Sequence, residues 1–167
     1  ELYIDRNDFN EDTTLSRKKF KRLVIGEYVR LRSGYVIRAD EVLKDATGEI
    51  IELICSYIPG TVGQDPPEGV RPRGVIHWVS ATNSVDCDLY CYEKLFTVAA
   101  PDAGEGSFID HLNPDSLQII KQCKAELGLA GAEVGQHFQF EREGYYAVDA
   151  KHSSAGKLVF NRTIALR

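Results

Sequence analysis

Hydrophobic and polar positions alternate with a period of two over most of this chain and rarely with the 3.6-residue period of a helix. The clearest case is residues 28–32. Tyr28, Arg30 and Arg32 share one parity and Val29 and Leu31 the other, which predicts a strand with the two aliphatic side chains inward and the two arginines side by side in solvent. Ser33-Gly34 then predicts a tight turn in which the glycine supplies the positive φ of a two-residue hairpin loop, with Tyr35 to Arg38 as the return strand, continuing to Leu43. Upstream, residues 1–9 read as an opening strand and residues 10–14 as a polar break. Downstream, residues 44–48 are dense in turn formers, residues 49–57 alternate weakly around Ile50, Ile51, Leu53 and Ile54, and residues 59–73 form a long exposed loop rich in Gly and Pro.

Residues 74–80 and 86–96 predict two further strands, and residues 99–106 a small-residue connection of the kind that separates subdomains. Asn113-Pro114-Asp115 carries an N-cap residue, a proline at the first helical position and an acid in the first turn, so a short helical turn is predicted there. Residues 119–126 and 131–137 fit helix and strand equally. Residues 138–142 and 145–149 flank Glu143-Gly144 as a second hairpin, and residues 157–167 close the chain as a strand. Many short strands with glycine-rich turns predict an all-β fold, with barrels or a sandwich as the architectures and no internal repeat to suggest a propeller.

Charge changes this picture in one place. Between Arg17 and Arg38 stand eight Lys or Arg and the single acid Glu27, a local charge of about +7, so the rest of a chain with formal charge -5 carries about -12. With Phe20, Tyr28 and Tyr35 close by, the basic hairpin offers forked donors for phosphates or guanine edges and aromatic planes for unstacked bases. A solvated Lys/Arg face is the other reading, and the residues by themselves leave both open.

Cys55, Cys87, Cys91 and Cys123 are even in number but lie in apolar alternating contexts, and the expectation is buried free thiols in place of disulfides. His77, His111, His137 and His152 are scattered singly, so no metal is assigned. No apolar run reaches the roughly 18 to 20 residues that span a bilayer, and no signal segment opens the chain, so a cytoplasmic protein without a membrane partner is expected. With no Met and a strand-like segment at its first residue, the 167-residue chain is expected to be a fragment of something longer.

Three stretches carry a resemblance. Phe20-Lys21-Arg22-Leu23-Val24-Ile25-Gly26 through Val29-Arg30-Leu31-Arg32, then Gly74-Val75-Ile76-His77-Trp78-Val79-Ser80, then Phe138-Gln139-Phe140-Glu141-Arg142-Glu143-Gly144-Tyr145 with Val159-Phe160-Asn161-Arg162-Thr163 together resemble, in order and over nearly the whole chain, the C-terminal anticodon-binding region of bacterial glutaminyl-tRNA synthetases. The resemblance implies two β-barrels with a few short helices. Residues 16–100 would form a distal barrel, and residues 1–15 with 101–167 most of a proximal one that docks on the catalytic part. It further implies Arg30 and Arg32 near the first anticodon base, Gln139 at the central uracil, Arg22 and Arg142 at the third-position guanine, and Lys18 and Lys21 on backbone phosphates. These roles suit the chemistry, since guanidinium forks match the O6 and N7 acceptors of guanine and a carboxamide both donates to and accepts from a uracil edge. Gln139 and Arg142 have opposite strand parity, so the implied roles require Arg142 to twist out of the regular pleat.

By the same resemblance the partners would be glutamine tRNA and the catalytic part of the same parent chain, acting as a monomer. ATP with Mg would be used by that catalytic part and no cofactor by this region. The chain has no Gly-rich phosphate loop followed by Lys and Ser or Thr and neither nucleotide-binding signature of class I synthetases, so catalysis by this region alone is not expected. Three other readings remain: the related domain of a glutamyl-tRNA synthetase, a barrel-type ribosomal RNA-binding protein, and a hydrolase built on His77, His152 and the cysteines. The acidic remainder of the chain weighs against the second. The third lacks a nucleophile, base and orienting group placed together by the sequence.

Overall fold

The computed structural model describes residues 1–104 and 106–166; Glu105 of the expected connection and Arg167 of the expected closing strand lie outside the described residues. The chain divides into two compact units, Glu1–Ala81 and Thr82–Arg167. Nearly all of its regular structure is β, as the alternation predicts. The only helical elements among the described residues are short 3-10 turns at Arg6–Asp8, Phe108–His111 and Leu127–Leu129. No helix among the described residues is long and apolar enough to cross a membrane.

In the first unit, β1 (Leu2–Tyr3) and β2 (Phe9–Asn10) replace the single strand expected over residues 1–9, the 3-10 turn between them turning Asp8 into the interior. β2 runs parallel to β3 (Leu23–Val24). The predicted hairpin is present as β4 (Tyr28–Leu31) and β5 (Val36–Lys44), and β6 (Ile50–Ile58) pairs with β5 beyond the turn at residues 45–48. The expected strand over residues 74–80 is broken at His77-Trp78 into β7 (Val75–Ile76) and β8 (Val79–Ser80). β7 completes the sheet β6-β5-β4-β7, running parallel to β4, and β8 pairs with β1. Val29, Leu31, Ile37 and Ile76 from this sheet pack with Phe9 and Leu23 as the core, so the inward parity read from the sequence is the buried one.

The second unit is one five-stranded sheet in the order β10-β9-β13-β12-β11, built from β9 (Ser84–Tyr92), β10 (Leu117–Glu126), β11 (His137–Phe140), β12 (Gly144–Val148) and β13 (Leu158–Ala165). β10 settles the ambiguity over residues 119–126 as strand, with a bulge at Gln122, whose φ is +59° and whose amide donates to Asp88 Oδ1 at 3.1 Å. Cys87, Tyr146, Val148 and Phe160 form the core, lined by Phe138 and Phe140, whose ring stacks on Tyr146 at 4.4 Å. Residues 82–100, expected with the basic hairpin, belong to this unit because β9 pairs with β10 and β13. Residues 1–15, expected with 101–167, lie in the first unit, where β1 and β2 find their partners.

Two local expectations fail for identifiable reasons. The helical turn at Asn113-Pro114 is a β-turn: Asn113 Oδ1 accepts from the Asp115 amide at 3.0 Å, and its Nδ2 donates to Lys94 O at 2.9 Å, so the N-cap residue closes an Asx turn. The capped 3-10 turn lies earlier, where Ser107 and Asp110 form a capping box. Gly34 also acts otherwise than expected, for it does not supply the positive φ of its turn. Ser33 (φ +53°) and Arg142 (φ +68°) take the left-handed conformation in their turns. Gly144 is demanded by space, since a Cβ there would stand 2.5 Å from Ile164 O, and at Gly34 a Cβ would crowd Leu31 Cβ at 3.1 Å.

Candidate nucleic-acid interface

The basic segment enters the first unit through a turn, not a strand. The amides of Lys19 and Phe20 both donate to Ser16 O at 3.0 Å, which throws Lys18 and Lys19 outward, and Lys21 is exposed beside them. Arg17 does not share their freedom, since its Nη2 donates to Glu27 Oε2 at 2.9 Å and to Arg71 O at 2.6 Å. Glu27, the one acid of the segment, is thus spent on holding the segment together. A residue that sequence reasoning passed over completes the arrangement. Arg73, at the end of the long loop, is buried beneath the turn and donates to Phe20 O and Leu15 O. The only sequence signal was a charged residue wedged between Pro72 and Gly74, which composition reads as loop.

The three arginines of this unit expected at anticodon bases, Arg22, Arg30 and Arg32, occupy three different settings. Arg22 Nε lies 3.1 Å from Asp8 Oδ1, and its Nη1 donates to Asn7 O at 3.0 Å; Asp8 is fully buried while Arg22 is partly exposed. Arg30 departs from the expected open display. It is half-buried, and its guanidinium donates to Thr61 O and, at 2.7 Å, to Gln64 O, so it straps the loop of residues 59–73 to the sheet. Thr61 fixes the other side of that strap, donating to Ile58 O at 2.7 Å and accepting from the Val36 amide at 2.9 Å. Arg32 falls in the turn after β4 and is exposed. Its backbone is fixed by a bond from its amide to Ile76 O and by Trp78 Nε1, which donates to Arg32 O at 3.0 Å.

Two aromatic features accompany these cations: the exposed pair Tyr35 and Tyr57 at 5.1 Å between ring centroids, and Arg38 6.0 Å over the half-buried Tyr28 ring. A cationic turn, an arginine-bearing hairpin tip and exposed rings on one unit can engage phosphates electrostatically and bases by stacking.

In the second unit Gln139 is exposed on β11, opposite Tyr145 of β12, because Phe138 and Phe140 take the inward parity against Phe160. Tyr145 is itself exposed, so an amide and an aromatic plane stand in register; sequence reasoning quoted Tyr145 in the motif but gave it no role. Arg142 sits in the turn with positive φ, out of the pleat that Gln139 follows. The hydrolase chemistry finds no support. Cys87 is buried, which pushes its thiol up to about 12, and His152 is engaged by Asp149 at 3.0 Å with its ring 5.2 Å from Tyr90. Burial works to raise the Asp149 carboxyl, but bonds from Asn161 Nδ2, the amides of His152 and Lys151, and the His152 ring outweigh it and hold the pKa at about 2. Of the cysteines, Cys87 and Cys91 are buried as expected, Cys123 is partly so, and Cys55, on the edge strand β6, is exposed.

Two open cavities, of about 680 and 630 Å³, are present; the first takes in Tyr35 and Tyr57 but neither is lined by Lys18, Lys21, Arg22, Arg30, Arg32, Gln139 or Arg142, so the candidate site is a surface and not a pocket. Two family models described as "tRNA synthetases class I (E and Q), anti-codon binding domain" match the chain, one over residues 1–58 and one over residues 75–149. Curated relatives named glutamine–tRNA ligase align along the whole chain: 53% identity with that of Ectopseudomonas mendocina, 53% with Pseudomonas putida and 48% with Cronobacter sakazakii. The chain spans 29 to 30% of the length of these relatives. With these matches covering both units, the chain belongs to the anticodon-binding domains of the class I tRNA synthetases for glutamate and glutamine.

Proposed function

We propose that this chain reads the anticodon loop of glutamine tRNA within a glutamine–tRNA ligase, whose catalytic part uses ATP with Mg to aminoacylate that tRNA in the cytoplasm, the protein acting as a monomer. The observation that carries the reading is the concentration of the chain's positive charge on one segment, with Lys18, Lys19 and Lys21 held outward by a bonded turn. In this reading Lys18 and Lys21 bind backbone phosphates, Arg30 and Arg32 serve the first anticodon base, Gln139 the central uracil, and Arg22 and Arg142 the third-position guanine. The names of the relatives favour glutamine over glutamate.

The test is the salt dependence of tRNA binding. Each phosphate neutralised on a single strand contributes about -0.7 to the slope of log affinity against log salt, so changing Lys18, Lys19 and Lys21 together to Ala reduces the slope by about 2. An unchanged slope refutes the reading.

A further inference from the structure

The turn carrying Lys18, Lys19 and Lys21 is supported from below by a side chain more than fifty residues away in sequence. Arg73 has 2% of its side chain exposed. Its Nε donates to Phe20 O at 3.1 Å, and its Nη2 donates to Phe20 O at 3.0 Å and to Leu15 O at 2.6 Å, while Nη1 faces Glu27 Oε1 at 3.9 Å. The backbone from which it springs is itself fixed, the Arg73 amide donating to Tyr28 O at 2.7 Å. The next residue, Gly74, lies so close to the basic segment that a Cβ there would stand 2.2 Å from Lys21 O.

A charge taken out of water is costly, and an apolar residue of similar volume often serves stability as well or better. The buried guanidinium therefore asks for an explanation in what it fixes. Residues 16–20 belong to no strand and have no ladder to hold them, and the planar fork of an arginine presents separate nitrogens in fixed directions to two carbonyls and a carboxylate, where an ammonium has one nitrogen from which to reach all three. Holding a flexible cationic turn in its binding conformation lowers the ordering cost paid on association.

We propose that Arg73 is a positioning residue for RNA binding: it bridges Leu15 O and Phe20 O and so sets the direction in which Lys18, Lys19 and Lys21 meet backbone phosphates. This rests on the reading that those lysines bind tRNA.

Two measurements test it. In the first, tRNA affinity is compared for the unmodified chain, Arg73→Lys and Arg73→Met, each with the three lysines intact and with all three changed to Ala. With the lysines intact, either Arg73 variant weakens binding by about tenfold, the equivalent of one charged hydrogen bond. In the lysine-free background the same changes cost less than about twofold, because residues acting through one another do not add. Equal losses in the two backgrounds overturn the proposal, as does full binding by Arg73→Lys, which would mean that charge alone suffices. Arg73→Lys keeps the charge facing Glu27 and carries the test should Arg73→Met not fold.

The second measurement is amide exchange without RNA. In Arg73→Lys the amides of Lys19 and Phe20 exchange about tenfold faster, while those of Leu31 and Val36 in the β4–β5 hairpin keep their rates. Unaltered exchange at Lys19 and Phe20 overturns the proposal whatever binds the lysines. If removing the lysines leaves tRNA binding untouched, the functional reading fails and the RNA role of Arg73 falls with it, and the exchange data alone then tell whether Arg73 holds the turn.

Discussion

We propose Arg22 for an anticodon base, and the structure gives it a structural duty whose size can be worked out. Asp8 is 1% exposed, and Arg22 Nε stands 3.1 Å from its Oδ1 while Arg22 Nη1 donates to Asn7 O. Removing one partner of a buried ion pair costs about 3 to 5 kcal/mol. Arg22 is 39% exposed, so water screens the pair from one side and about 2 kcal/mol is the appropriate loss for Arg22→Ala. For a unit of this size that corresponds to a fall in Tm of about 10 °C. Asp8→Asn removes the same ion pair without touching the guanidinium. Thermal unfolding of the single and double variants, followed by the Trp78 fluorescence of the first unit, gives the coupling between the two residues. The expected result is a double variant less destabilised than the sum of the singles, with Asp8→Asn retaining tRNA binding and Arg22→Ala losing it. A Tm change under about 2 °C for Arg22→Ala would refute the structural duty.

Arg30→Ala frees the loop at Thr61 and Gln64, so it costs about 1 to 2 kcal/mol and speeds proteolytic nicking between residues 62 and 70, whereas the exposed Arg32→Ala costs about 0.5 kcal/mol or less. Asp149 has a folded pKa of about 2 against an ordinary 3.8, so its contribution to the second unit is complete above pH 3.8 and is lost as pH falls toward 2; acid unfolding of Asp149→Asn lacks that component of the pH dependence. Gly144→Ala drives a Cβ into Ile164 O and destabilises by about 2 kcal/mol, while Gly131→Ala, with nothing within 4 Å, stays within about 0.5 kcal/mol in denaturant titration.

What the sequence disclosed is what period two encodes. The face of β4 and the hairpin β4–β5 follow from side-chain parity alone, since a strand with one buried face leaves no other pattern. What it withheld depends on the third dimension. Ser33-Gly34 looks like a turn that needs glycine for φ, yet Ser33 carries the positive φ, and the crowding that requires Gly144 comes from Ile164 and is invisible in its dipeptide. Arg30 reads as solvent-facing from its parity, yet the loop of residues 59–73 folds over it. Arg73 reads as loop, yet the carbonyls it bridges lie 53 and 58 residues away. The same limit applies to domain organisation: the chain divides where strands find partners, between Ala81 and Thr82, and not at the small-residue stretch near residue 100.

The most direct measurement of the central claim is the affinity of this chain for glutamine tRNA transcripts whose anticodon bases are changed one at a time. The account predicts tight binding to the unmodified transcript and losses of about 1 to 3 kcal/mol for each changed anticodon base, with changes elsewhere in the stem neutral. Equal affinity for all anticodons would contradict it.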